Sequence, residues 1–234
     1  MKDGPQITGI AALIGDHARA EALTALMSGM ALTATELATH AHVSRQTMSG
    51  HLAKLLEAQL LAVEVQGRHR YYRLASHDVA QLLESLMQVA YRTGAVRLRS
   101  SPREPALRKA RVCYDHLAGE TGVAVYEALL ARGAFVLGAD GMRLSTPGRA
   151  LMQSWGIDVA ALEAQPRVLC RSCLDWSERR SHLAGALGAA LLRTLLERDW
   201  VRRDKHSRVL HITPPGQRWL AELTDLAARP ALAV

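Results

Sequence analysis

The stretch VSRQTMSGHLAKLLEAQLL, from Val43 to Leu61, constrains the fold more than any other part of the chain. Ser44 favours the start of a helix, because its hydroxyl can accept a hydrogen bond from a free backbone N–H of the first turn. Apolar residues at helical spacing predict that one face is buried, with Met48, Leu52, Leu55 and Leu56 on it. The opposite face has short or hydrogen-bonding side chains, which suit base edges in the major groove of DNA. These side chains belong to Arg45, Gln46, Ser49, Gly50 and Lys54.

Two further patterns flank this helix. Upstream, the sequence TATE at residues 33–36 is a capping box that begins a preceding helix. Downstream, the runs at 62–65 and 68–74 lie on either side of Gln66 and Gly67, and they predict a β-hairpin. The order helix, turn, helix, hairpin predicts a winged helix-turn-helix, in which the second helix is the recognition helix and the hairpin is the wing.

The segments LTATELATHAHVSRQTMSGHLAKLLEAQLL and QGRHRYYRL resemble the ArsR/SmtB family of bacterial repressors, over roughly the first third of the chain. The resemblance implies a homodimer that binds double-stranded operator DNA through the recognition helix and the wing. The residues expected at the DNA are Ser44, Arg45, Gln46, Thr47, Ser49, Gly50 and Lys54 in the helix, and Arg68, Arg70 and Arg73 in the wing. A winged helix used only for protein contacts is the alternative, although the exposed helix face and the wing are both basic.

The metal sites that the resemblance implies are not intact. Arsenic sensors of the family carry cysteines in the helix before the recognition helix, and the corresponding stretch here, LTATELATHA, has none. Zinc sensors of the family use Asp and His pairs on the last helix, where this chain has His77 and Asp78 and then only Glu84. Any metal ion would therefore have to bind in the part of the chain that follows.

Length and charge limit the class of protein. The 234 residues suggest about two domains, and the net charge of +7 with a pI of about 9.8 suits a polyanionic partner. No apolar run approaches the length of a membrane span, and the N-terminal MKDGPQITGI lacks the pattern of a signal peptide. We therefore expect a cytoplasmic protein with reduced thiols and no membrane partner. Nucleotide-binding and metalloprotease motifs are absent, so an enzyme is not expected.

Two further segments bear on how the chain forms a dimer and on how its two domains are connected. Ser76 begins a helix with a long apolar face, and the resemblance implies that this helix and the one at 16–27 form a dimer interface. The alternative is that the apolar face covers the core of its own domain. Residues 92–111 are rich in arginine, and the prolines within 99–105 predict a linker that either contacts phosphates or is simply solvated.

The rest of the chain contains an internal repeat. The sequence HLAG at 116–119 is followed by Gly122, and HLAG at 182–185 is followed by Gly188 at the same spacing. LLARGAFVL (Leu129–Leu137) likewise matches LLERDWVRR (Leu195–Arg203). In each copy a hairpin-like stretch and a further helix follow, which predicts two degenerate winged-helix-like repeats. Their helices are poor in groove-reading side chains, so we do not expect these repeats to read DNA.

All three cysteines lie in this repeated region. The sequences CYD (113–115) and CLD (173–175) share a Cys-x-Asp pattern, and each precedes its HLAG sequence. Pseudo-two-fold packing of the repeats would bring the two patterns together, where they could bind a soft metal or metalloid ion or form a disulfide. Buried inert thiols, or a small organic ligand bound near the four tryptophans, are the alternatives. The candidate metal or redox residues are Cys113, Cys170, Cys173, His116 and His182.

The whole sequence predicts a mainly α protein with small β-hairpin wings (α+β). We expect a winged helix-turn-helix domain for DNA binding and dimerisation at 1–98, a basic Pro-containing linker at 99–110, and an effector domain of two repeats at 111–234. The expected function is that of a homodimeric transcriptional repressor whose operator binding changes when the second domain senses an effector. The effector is unknown, and no cofactor is certain. The alternative is an interaction protein or enzyme built from winged-helix units that do not bind DNA.

Overall fold

The computed structural model describes residues 5–95, 104–138, 141–205 and 207–225. The chain forms two compact units, Met1–Val89 and Ala90–Val234. Both consist of helices joined by short antiparallel hairpins, so the predicted fold class is confirmed. Among the residues that the structure describes, no helix has the length and apolar character needed to cross a membrane.

The first unit is the winged helix-turn-helix that the sequence predicts, preceded by one short helix that the sequence analysis missed. Its elements are α1 (Ile7–Ile14), α2 (His17–Leu26), β1 (Leu32–Thr33), α3 (Ala34–Ala41), α4 (Arg45–Glu57), β2 (Leu61–Gln66), β3 (His69–Leu74) and α5 (His77–Arg92), the last of which crosses the unit boundary. The three strands form a sheet in the order β1-β3-β2. The left-handed backbone of His42, with φ 54°, ends α3 and allows the turn into α4.

The core of the first unit lies where α2, α3 and α4 meet. Leu23, Leu37, Met48 and Leu55 are fully buried there, as the helical spacing predicts. Leu56, which was also expected on the buried face, is only half-buried at its edge. The opposite face of α4 is therefore left to solvent.

The second unit contains two copies of the order hairpin, helix, hairpin, helix. The first copy is β4 (Arg111–Cys113), β5 (His116–Ala118), α7 (Glu120–Ala131), β6 (Phe135–Gly138), β7 (Gly141–Leu144) and α8 (Thr146–Ser154). The second is β8 (Arg171–Leu174), β9 (Ser181–Ala184), α10 (Gly185–Glu197), β10 (Val201–Arg203), β11 (Leu210–Ile212) and α11 (Pro214–Asp225). A short helix α6 (Glu104–Lys109) precedes the first copy, and α9 (Val159–Glu163) joins the two.

The predicted repeat is present, but each copy begins with a hairpin that the sequence analysis did not identify. Of the expected linker at 99–110, residues 99–103 lie outside the described residues, and the part from Glu104 to Lys109 is helical. Pro105 is compatible with this helix because it occupies the first turn, where the backbone N–H has no intrahelical partner.

The two repeats pack reciprocally through a matched pair of glycines. A Cβ atom on Gly122 of the first repeat would lie 3.6 Å from the Cβ of His182 in the second. A Cβ atom on Gly188 of the second repeat would lie 3.2 Å from the Cβ of His116 in the first. Each helix start thus faces the histidine of the other repeat, as in an isologous interface.

Candidate DNA-binding face and a cysteine–histidine cluster

The recognition helix α4 is fixed at its N-terminal end by the cap that the sequence predicts. The Oγ atom of Ser44 accepts a hydrogen bond of 3.0 Å from the backbone N–H of Thr47. The preceding helix is capped in the same way, since Thr33 and Glu36 form both hydrogen bonds of a capping box. Capped helix ends hold the exposed first turn of α4 in a defined orientation.

The face of α4 opposite the core is open to solvent and carries no acidic side chain in its first turn. Arg45, Gln46 and Ser49 are all exposed on it, and the hydroxyl of Ser49 donates to the backbone oxygen of Arg45 at 2.9 Å. A Cβ on Gly50 would meet no atom within 4 Å, so this position is open to an approaching partner. All the helix residues predicted at the DNA are exposed, namely Ser44, Arg45, Gln46, Thr47, Ser49, Gly50 and Lys54.

The wing formed by β2 and β3 presents its arginines to solvent. Gly67 has φ +59° at the turn, and Arg68 and Arg70 follow it with exposed side chains. Arg73 is also exposed, but its Nε atom donates to the carboxylate of Glu64 on the neighbouring strand at 3.2 Å. Within the part of the chain that the structure describes, Arg68 and Arg70 near the tip of the wing form no ion pair with a carboxylate, whereas Arg73 is paired with Glu64.

An open cleft separates α4 from the wing. Arg45 and Ser49 line it on the helix side, and Arg68 and Arg70 line it on the strand side. Glu36 lines it as well, but its carboxylate is engaged by the capping box of α3. The cleft has the basic character that suits a phosphate backbone running between a recognition helix and a wing.

Helix α5 exposes an apolar stripe within the first unit. Ala80 and Leu83 are buried against the unit, whereas Leu82, Leu86 and Val89 are 38%, 42% and 46% exposed. These three residues follow one another at helical spacing along a single face. The helix thus covers its own core with one face and leaves a second apolar face uncovered.

In the second unit, four cysteine and histidine side chains converge. The strand register places Cys113 opposite His116 in the first hairpin, and Cys173 opposite His182 in the second. One potential ligand atom from each of the four residues lies within 4.8 Å of those of the other three. We call this group the Cys–His cluster.

The third cysteine, Cys170, lies elsewhere, although the sequence analysis included it among the candidates. It is part of the main hydrophobic core, whereas Cys113 and Cys173 pack together in a separate small cluster with Ala118 and Ala184. Side chains three residues apart in an extended chain point to opposite faces, so Cys170 and Cys173 separate despite their C-x-x-C spacing. Burial raises the pKa of Cys170 to about 11, which makes it an unreactive thiol.

The two aspartates of the Cys-x-Asp patterns flank the histidines. The Nδ1 atom of His116 lies 3.2 Å from Asp115 Oδ1, and that of His182 lies 3.3 Å from Asp175 Oδ2. Although burial raises the pKa of Asp115, the contacts with His116 and Arg167 lower it to about 2. For Asp175, contacts with His182 and Arg111 likewise outweigh burial and hold the pKa well below its ordinary range. Both carboxylates are therefore ionised acceptors.

Arginines complete this network across the repeats. The guanidinium of Arg111, 1% exposed, donates to Asp175 at 2.7 Å and lies 4.4 Å from the centroid of the Trp176 ring. Arg167 binds Asp115 through two hydrogen bonds of 2.6 and 3.1 Å. Arg111 is therefore engaged by the carboxylate of Asp175 and not by a cysteine. The hydrogen bond with Cys173, together with burial, raises the pKa of Cys113 to about 12.

Three of the tryptophans form an aromatic group. Trp219 stacks on Trp200 at 5.3 Å between ring centroids and meets Trp155 edge-on at 5.5 Å. Trp219 is buried in the main core, and Trp155 and Trp200 pack against that core. Asp115 and Asp175 also lie beside the two histidines, a role that was not predicted, although their repeated position before each HLAG was the available signal.

Comparisons with known proteins agree with the winged helix-turn-helix of the first unit. Residues 16–63 match the family described as bacterial regulatory protein, arsR family. The chain is 41% identical over 213 residues to the uncharacterized HTH-type transcriptional regulator YdfF of Bacillus subtilis (strain 168), covering 91% of this chain and 94% of the relative.

Similar solved structures cover less than half of the chain. The cadmium metal-sensor CMTR from Mycobacterium tuberculosis is 30% identical, covering 36% of this chain and 86% of its own, with a TM-score of 0.32. The homodimeric winged helix-turn-helix domain Mb0332 from Mycobacterium bovis is 23% identical, covering 43% of this chain and 96% of its own, with a TM-score of 0.33.

Proposed function

The chain belongs to the ArsR family of DNA-binding transcriptional regulators, and from this we propose that it is a homodimeric, cytoplasmic repressor whose operator binding is changed by an effector. Members of this family are regulators and not enzymes. The observation that carries the proposal is the exposed face of α4, where a capped helix start presents Arg45, Gln46 and Ser49 without an opposing acidic residue.

In the proposed complex, α4 lies in the major groove of double-stranded operator DNA. Arg45 and Gln46 reach base edges from the first turn, because both side chains can make two hydrogen bonds to a purine. Ser44, Thr47, Ser49, Gly50 and Lys54 contact the backbone or allow its close approach. Arg68 and Arg70 of the wing bind phosphates or enter the minor groove, whereas Arg73 contributes less because Glu64 neutralises it.

We further propose that α5 forms the dimer interface. The exposed stripe of Leu82, Leu86 and Val89 supports this proposal, because burying the part of each side chain that is still exposed stabilises an interface by about 1 kcal/mol. A symmetric dimer would present two recognition helices to a palindromic operator.

We propose that the effector binds to, or reacts with, the second unit. Metal sites of the kind known in the family are missing from the first unit, and the Cys–His cluster offers thiols that a soft metal ion, a metalloid or an oxidant could engage. A small organic ligand bound near the tryptophans is the alternative. Either effector would act by binding the DNA-bound and free states with different affinity.

The direct test is a gel-shift with the DNA upstream of the chain's own gene and a scrambled duplex of the same composition. The proposal predicts at least about 1,000-fold tighter binding to the upstream duplex at physiological salt. Equal affinity for the two duplexes would contradict a sequence-specific repressor of its own gene. A reporter driven by the upstream region then distinguishes a repressor from an activator.

A further inference from the structure

The Cys–His cluster is built symmetrically from both repeats. Each hairpin supplies one cysteine and one histidine that face each other across the strands, Cys113 with His116 and Cys173 with His182. The ring centroids of the two histidines are 5.1 Å apart. One side-chain pair of this kind could be incidental, but two equivalent pairs meeting at one point form a four-ligand set.

The interior of the cluster is closed to solvent. His116, His182 and Cys173 are only 2%, 1% and 4% exposed. The Nε2 atom of His182 is buried and has no hydrogen-bond partner among the described residues. A buried polar atom without a partner is costly, so such an atom in a cluster with two thiols and a second histidine indicates that a group bound there satisfies it.

Two aspartates beside the cluster orient the histidines in a way that suits metal ligands. Nδ1 of His116 faces Asp115 at 3.2 Å, and Nδ1 of His182 faces Asp175 at 3.3 Å. With Nδ1 of each ring beside a carboxylate, we infer that Nε2 is the nitrogen that each histidine offers to the cluster. A carboxylate on the far nitrogen is the usual companion of a metal-bound histidine, because it fixes the tautomer and the ring orientation. Arg111 and Arg167 in turn hold the two carboxylates.

Charge and geometry select the metal. Two thiolates and a dication sum to zero, which suits a buried site, whereas a monovalent ion would leave a net negative charge there. Tetrahedral sites with two sulfur and two nitrogen ligands are typical of zinc. With Zn–S and Zn–N bonds of about 2.3 and 2.0 Å, tetrahedral ligand atoms lie roughly 3.3–3.8 Å apart. The ligand atoms, now within 4.8 Å, would need to move inward by about 1 Å at most.

We propose that Cys113, His116, Cys173 and His182 bind one Zn²⁺ ion, which cross-links the two repeats of the second unit. All four ligand positions come from the protein, so the site is closed and leaves no position for a substrate. Binding deprotonates the two thiols, and their two protons leave to solvent. The zinc ion and the proposed effector would bind at the same Cys–His cluster. The proposal of a zinc site nevertheless stands or falls independently of whether the chain binds an operator.

The test begins with the purified full chain. After dialysis, elemental analysis should find one zinc ion per chain, and cobalt reconstitution should give the visible absorption of a tetrahedral site with thiolate ligands. Chelation should lower the temperature of the unfolding transition detected by tryptophan fluorescence, since all four tryptophans lie in the second unit. A chain that neither contains zinc nor takes up zinc or cobalt when reduced overturns the proposal, as does a Cys113–Cys173 disulfide that persists in reducing buffer.

Variants then identify the ligands. Cys113→Ser and Cys173→Ser should each lose stoichiometric zinc, and Asp115→Asn should weaken zinc binding by about 10–100-fold while the ligands remain. Cys170→Ser is the matched control, because it removes a buried thiol outside the cluster and should keep one zinc ion per chain. If Cys170→Ser loses zinc and Cys173→Ser retains it, the assignment is wrong. Zinc content is measured without DNA, so its outcome is separate from that of the gel-shift.

Discussion

The imidazole rings of His116 and His182 meet with their centroids 5.1 Å apart, although the two residues belong to different repeats. The Cβ atom of each histidine also lies beside a glycine of the opposite repeat, Gly188 for His116 and Gly122 for His182. The duplicated sequence HLAG-x-x-G is therefore the signature of a reciprocal interface. Its histidine enters the Cys–His cluster, and its last glycine makes room for the histidine of the other repeat.

The glycines of this interface should tolerate no side chain. A Cβ on Gly188 would lie 2.6 Å from the backbone oxygen of Leu183 as well as 3.2 Å from the Cβ of His116. We expect Gly188→Ala to destabilise the second unit by about 1–3 kcal/mol, which denaturant unfolding followed by tryptophan fluorescence would measure. Gly9→Ala, on the open surface of α1, is the control and should leave this transition unchanged. An equally small effect of both substitutions would show that the interface is not tightly packed.

The wing should account for part of the salt dependence of DNA binding. Arg68→Ala with Arg70→Ala is expected to reduce the slope of log K against log salt by about two units, because each phosphate contact contributes roughly one. Arg143→Ala, an exposed arginine on the hairpin of the first repeat, should leave the slope as it is. An unchanged slope in the double variant would move the phosphate contacts away from the wing.

Helix α5 should determine the oligomeric state. Leu86→Glu places a charge in the middle of the exposed apolar stripe and should convert the dimer to a monomer in sedimentation experiments. Gln81→Glu adds the same charge on another exposed position of α5 and should leave the dimer intact. A wild-type chain that is monomeric at micromolar concentration would refute the proposed interface.

The cysteines of the cluster should carry the response to the effector. Operator affinity measured with and without zinc, arsenite and peroxide should change by about 5–150-fold for at least one of them. Cys113→Ser and Cys173→Ser should bind the operator without this response, whereas Cys170→Ser should respond like the wild type. If all three single variants respond alike, a small organic ligand becomes the leading effector.

The first unit could be predicted in detail because its signals are local. The caps at Ser44 and Thr33 are read from neighbouring residues, and they appear in the structure where expected. The wing hairpin also forms, but Gln66 ends β2 and pairs with His69, so its turn lies one residue later than predicted, at Gly67 and Arg68. The hairpins that begin each repeat were missed because their paired segments have only three or four residues, too short for an alternating pattern. Helix α1 was also missed, since it has neither a side-chain cap nor a buried residue.

The Cys–His cluster could be predicted only in part. The repeated Cys-x-Asp pattern pointed to Cys113 and Cys173, but the choice between Cys170 and the histidines depends on strand register and on how the repeats pack. The C-x-x-C spacing suggested a local pair that the extended backbone separates. The pairing of Asp175 with Arg111 is likewise a long-range contact that no local spacing reveals.

The central claim is that the exposed face of α4 reads the operator, and competition binding of single variants tests it most directly. Arg45→Ala and Gln46→Ala should each lose about 1–3 kcal/mol of discrimination between the operator and the scrambled duplex, with weak non-specific binding retained. Arg218→Ala and Gln217→Ala make the same changes on exposed positions of α11 and should discriminate like the wild type. If Arg45→Ala and Gln46→Ala also discriminate like the wild type, α4 is not the reading helix.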